Sequence, residues 1–120
     1  MTLQEFKKEV KTNHPELFIK STARGIWMIA HAWLVMFFAV YCYSLFPNIL
    51  VGLLVVMIIG SRQLGISILM HEAAHRTLVN GKELNNFVGS WFCSLPVIYS
   101  LQDYRHYHLE HHWNTQQSND

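Results

Sequence analysis

Two tight groups of histidine stand out from the sequence. The first is His71-Glu72-Ala73-Ala74-His75. On a helix its two imidazoles are one turn apart and face the same way, a spacing that can hold one metal ion. The second is His108, His111 and His112, within Tyr104-Arg105-His106-Tyr107-His108-Leu109-Glu110-His111-His112. Offsets of three and four bring these three onto one helical face, while His106 points elsewhere. Three imidazoles on one face repel when protonated, and neutral metal ligands explain them most simply. With little carboxylate beside them, the five suit iron, zinc or copper better than magnesium or calcium. They are too many for one tetrahedral zinc and make a natural partial set for two metals. The H-E-x-x-H pattern alone also fits a membrane zinc metalloprotease with Glu72 as general base, but that reading leaves His108, His111 and His112 without a role. A non-enzymatic membrane protein that binds metal or haem through its histidines is a further alternative.

A shared site requires both groups to lie on the same side of whatever carries them, and composition says that this is a lipid bilayer. Of the 120 residues 51% are apolar and only 14% charged, where soluble domains run near about a quarter charged. The charges crowd the first 24 residues and the region after Met70. A net charge of +1 gives no reason to expect a nucleic-acid partner. Cys42 and Cys93 have no metal-ribbon spacing and read as buried small apolar residues.

The segment 1–24 reads as a cytoplasmic lead-in. Leu3, Phe6 and Val10 recur at helical spacing as in a helix lying on the membrane surface, and Asn13-His14-Pro15-Glu16 as a break and restart. No cleavable leader is expected, because the first apolar run starts only near Gly25. Gly25 to Phe46 has no Lys, Arg, Asp or Glu and would be roughly 33 Å long as a helix, enough to span. Trp27 and Trp33 lie toward one end of it, Tyr41 and Tyr43 toward the other. After Pro47-Asn48 a second span runs from about Ile49 to Met70, antiparallel to the first. The uncharged tip and the basic lead-in put both hairpin ends in the cytoplasm. His31 is expected to bond the neighbouring helix, and Arg62 to face the bundle interior or snorkel. Leu84 to Leu101 is apolar but contains Gly89 and Pro96. If it crossed the bilayer, His108 would be a membrane thickness from His71, so it is expected to be re-entrant or interfacial. The fold class is therefore all-α: a transmembrane hairpin with cytoplasmic helical extensions that carry the histidines.

H-E-A-A-H at the end of a second membrane helix, followed about thirty residues later by Arg105-x-x-His108-x-x-His111-His112, resembles the first two histidine boxes of the membrane fatty acid desaturase family. The tail through His111-His112-Trp113-Asn114 to Asp120 is similar to the family's run after its second box. The match covers most of 25–120. The resemblance implies two irons at the cytoplasmic face, held by His71, His75, His108, His111 and His112. It implies an acyl-lipid, acyl-CoA or acyl-carrier substrate, with oxygen and two electrons from a ferredoxin or cytochrome b5-type donor. Carotenoid and lipid hydroxylases share the scaffold and stay open as an alternative. Glu72, Asp103 and Glu110 are candidates to orient the ligands from outside. The family also has a second hairpin and a third box, H-x-x-H-H, which residues 1–120 do not contain; a chain with these residues alone is expected to be inactive.

Overall fold

The structure is a computed structural model that describes residues 2–15 and 20–115, and no strand occurs among them. α1 (Leu3–Asn13) starts on a capping box. The Thr2 hydroxyl accepts from the Glu5 amide at 3.2 Å, and the Glu5 carboxylate accepts from the Thr2 amide at 2.7 Å. These bonds satisfy two amides that a helix start leaves unpaired. None of the described side chains of α1 is buried. The helix stops at Asn13, with the His14 amide donating to the Val10 carbonyl. The continuation of the expected restart beyond Pro15 lies outside the described residues, as does the tail 116–120.

α2 (Thr22–Leu45) and α3 (Ile49–Ala74) form the hairpin. At 24 and 26 residues they are about 36 and 39 Å long, enough to cross a bilayer. Ser21 caps α2 through the Arg24 amide, and Asn48 caps α3 through the Val51 amide. Helix α3 runs past the expected end at Met70 and carries His71 on its last turn. Ile29, Ala32 and Met36 of α2 share one core with Ile66, Leu69, Met70 and Ala73 of α3. The small side chains of Ala32 and Ala39 let the two helices approach closely. Outward, Phe37, Phe38, Val56, Met57 and Ile68 are all more than half exposed. So much contiguous apolar surface suits lipid and not water.

Two expectations for the hairpin need correction. Cys93 is fully buried, but Cys42 is only half-buried, because near the tip both helices turn most of their residues outward. His31 makes no hydrogen bond to α3 among the described residues. It is exposed, and its ring lies 6.1 Å from that of Trp27, one turn earlier on its own helix.

Leu84 to Leu101 is not one span. It comprises α4 (Lys82–Val88), a π-helical turn (Gly89–Ser94) and a 3-10 turn (Leu95–Val97), ending at Ile98 in a left-handed conformation. The chain then enters α5 (Leu101–Asn114), which lies back against α3. Side chains of the hairpin hold this irregular stretch. Trp33 Nε1 donates to the Phe92 carbonyl at 3.0 Å, and Gln63 Nε2 donates to the Pro96 carbonyl at 3.3 Å. Such partners are what lets non-helical backbone exist at membrane depth.

Gly89 permits a close approach of α3 and α5. A Cβ there would sit 2.6 Å from Ala73 Cβ and 2.8 Å from Leu101 Cδ2. Gly89→Ala should therefore push α3 and α5 apart and destabilise the fold by about 1–3 kcal/mol. Thermal unfolding in detergent checks this; an unchanged midpoint would show that the contact gives way freely.

Candidate metal centre

The end of α3 is built to hold its last histidine still. The Arg76 amide donates to the Ala73 carbonyl at 3.0 Å and the Thr77 amide to the Glu72 carbonyl at 2.9 Å, with Arg76 at φ 59. This is a Schellman ending, with arginine in the left-handed position that glycine usually takes. His75 is the capping residue. The Ala73 carbonyl also accepts from Asn85 Nδ2 at 2.8 Å and from Arg105 Nη2 at 3.0 Å. Arg105 Nε donates to the Ala74 carbonyl at 2.9 Å, and its Nη2 also donates to Asn86 Oδ1 at 2.9 Å. One guanidinium thus ties α5 to the end of α3 and to α4.

That docking brings four of the five expected ligands together. One nitrogen from each of His71, His75, His108 and His112 lies within 4.8 Å of the others. His108 is central: its Nε2 is 2.9 Å from His75 Nε2 and 3.0 Å from His112 Nε2. Nitrogens this close either share one proton or aim their lone pairs at a common cation. Two nitrogens on one ion, each at about 2.1 Å, can be no more than about 4.2 Å apart. Small ring rotations therefore bring the group onto one ion or divide it between two. The donor set is all imidazole and fits a first-row transition metal. His108 and His112 also fill the space that a catalytic zinc of the H-E-x-x-H type keeps open for water.

His111 lies outside the group of four, with its ring 6.1 Å from that of His112. Going round α5, His112 and His111 lie on opposite sides of His108, and the α3 histidines lie on the His112 side. Glu72 does touch a ligand: its Oε1 is 3.4 Å from His71 Nδ1, while its Oε2 accepts from the Thr77 hydroxyl at 2.7 Å. The Asp103 and Glu110 side chains reach no ligand. Asp103 sits in the first turn of α5, and Glu110 pairs with His106 at 3.8 Å, two positions beyond His108 and so nearly opposite it on the helix. His106 points away from the cluster, as its place in the sequence implies.

Sequence reasoning missed three residues that support the site. Arg105 and Asn85 are described above. Tyr104 lies flat on His108, with ring centres 5.3 Å apart and planes 7° from parallel. Its position four residues before His108 was the available signal.

Burial, and then the neighbouring imidazoles of His71 and His112, hold His75 and His108 below the ordinary histidine value of 6.5; Glu72 partly opposes this at His75. The unfolded chain therefore takes up protons before the folded site does, and acidification through that value weakens the fold. Protons also compete with metal for the same nitrogens. Affinity for a divalent ion should be level above about pH 7 and fall steeply below about pH 6. Isothermal titration across this range checks it, and a flat profile would exclude imidazole as the main donor.

Neither the curated proteins nor the solved structures contain a match to this chain. Residues 47–120 match the family described as fatty acid desaturase. The matched stretch contains all of α3, the broken segment, α5 and both histidine groups, more than half of the sequence. This membrane protein belongs to the fatty acid desaturase family.

Proposed function

We propose that this chain supplies two of the three histidine boxes of an oxygen-dependent lipid desaturase with a di-iron centre. The observation that carries the reading is the meeting of His71 and His75 with His108 and His112 at the end of an apolar helix. A metal there would lie at the edge of the bilayer, within reach of an acyl chain. Bound iron would supply the oxygen chemistry that removes hydrogens from two adjacent carbons. The protein's own part is to present neutral imidazoles. Tyr104 orients His108, Glu72 orients His71, and Arg105 keeps the two boxes in register. His111 would serve a second ion, together with histidines from a third box. The substrate is an acyl-lipid, acyl-CoA or acyl-carrier thioester, and the electrons come from a ferredoxin or cytochrome b5-type donor. The basic lead-in supports a cytoplasmic position for the site.

The test joins residues 1–120 to the second hairpin and third box of a family desaturase. The fusion is expressed in cells that lack their own enzyme, and acyl chains are read by gas chromatography. New double bonds that disappear in the His75→Ala form are expected. A fusion that inserts, binds iron and yields hydroxylated chains instead would overturn the desaturase reading in favour of the hydroxylase.

A further inference from the structure

We infer that the cleft between α2 and α3 around Arg62 is a binding site for the anionic group of a lipid, a carboxylate or a phosphodiester. The cleft has a volume of about 340 Å³ and is lined by Trp27, Met28 and His31 of α2 and by Arg62, Gly65 and Ile68 of α3. Its walls are apolar apart from Arg62, His31 and the indole nitrogen of Trp27. Arg62 Nε is buried and has no hydrogen-bond partner among the described residues. His31 makes no hydrogen bond among them, and its only ring neighbour is Trp27. A guanidinium keeps its charge and carries five donors; Arg62 as a whole is half-buried, and it is the buried Nε–H that lacks an acceptor. None of the residues that line the cleft is acidic, and no Asp or Glu occurs from residue 17 to residue 71. A bound anion would supply that acceptor.

The surroundings favour a lipid. Trp27 and Ile68 at the cleft are more than half exposed on the hairpin's apolar surface. The cleft lies toward the helix ends that carry the basic lead-in and the histidines, where Trp27 fits the interfacial belt. A lipid that approaches sideways there brings its charged group to Arg62 and His31 and its chain along Ile68. The inference rests on α2 and α3 being membrane spans, but not on the metal or the reaction.

The test uses the whole chain in phosphatidylcholine bilayers with a trace of spin-labelled lipid. Electron paramagnetic resonance compares the fraction immobilised for labelled phosphatidylglycerol, stearate and phosphatidylcholine. The wild type should prefer an anionic label about fivefold, as about 1 kcal/mol per basic side chain at a membrane surface gives. The preference should survive high salt, because a charge inside the cleft is poorly screened. Arg62→Gln should abolish it and His31→Ala should weaken it, with carbonate-resistant insertion confirming that each variant is embedded. Phosphatidylglycerol or stearate as the preferred label identifies phosphodiester or carboxylate; displacement of either label by inorganic phosphate would identify a free anion as the occupant and overturn the lipid. Equal preferences in the wild type and Arg62→Gln overturn the proposal. So does an absent preference in the wild type, the outcome expected if an acidic helix covers the cleft. A chain that carbonate extracts overturns the membrane setting as well.

Discussion

A His108→Ala chain is expected to lose tight metal binding altogether. His108 touches every other member of the group: its ring lies 4.5 Å from that of His71, 4.9 Å from that of His75 and 4.5 Å from that of His112. Removing it leaves the α3 pair and His112 with no nitrogen between them. Loss of a residue that merely orients a ligand costs about 10- to 100-fold in affinity, so loss of the central ligand should cost more. Titration with ferrous iron under anaerobic conditions gives the measurement, with His106→Ala as the neutral control. An affinity within threefold, roughly the scatter of context-dependent effects, would remove His108 from the site. His111→Ala separates two arrangements. If His111 serves a second ion, stoichiometry falls while the affinity of the first site is kept.

The second large effect is expected far from any ligand atom. Arg105→Ala removes three hydrogen bonds, two to the carbonyls of Ala73 and Ala74 and one to Asn86. Hydrogen bonds from a charged donor are worth about 1.5–3 kcal/mol each in favourable cases. They are not additive here, because the three bonds share one guanidinium. A loss of about 3 kcal/mol, with α5 released from α3, is the expected result. Metal affinity should fall by about 100-fold even though no imidazole is changed, the upper end of what supporting shells contribute. Arg105→Lys should recover little, because an ammonium lacks the fork that reaches two carbonyls and an amide at once. Unfolding midpoints and metal titration together decide the matter. Lost stability with intact affinity would mean that the boxes meet without this clamp.

Much of this could be read from residue order alone. The two spans follow from runs without charge, and the hairpin from the short Pro47-Asn48 connection. The broken character of Leu84 to Leu101 follows from requiring both histidine groups to share a site, and the structure meets that requirement with a π-helical and a 3-10 turn. Helical spacing faces His71 toward His75 and His108 toward His112, and the structure brings these four together. It could not separate His111 from them, because one face of α5 spans both flanks of His108, and only the position of α3 selects between these flanks. Asp103 and Glu110 lie away from the cluster for a related reason. Nearness in sequence to a ligand says nothing about side on a helix that turns about 100° per residue. The bonds made by Arg105 and Asn85 join segments distant along the chain, and local spacing carries no trace of such pairings.

The Ala73 carbonyl has a consequence for how this site should be probed. It accepts hydrogen bonds from the Arg76 backbone amide, the Asn85 side-chain amide and the Arg105 guanidinium, at 3.0, 2.8 and 3.0 Å. The atom on which three segments converge belongs to the backbone, at a position whose side chain is already a methyl. An alanine scan of residues 71–75 therefore passes over the keystone and records only the histidines and Glu72. Its importance would surface indirectly, as unexplained sensitivity at Asn85 and Arg105. Swapping the amide between Ala73 and Ala74 for an ester by chemical ligation, which weakens that acceptor and leaves every side chain in place at the cost of the Ala74 N–H, is the change that would expose it.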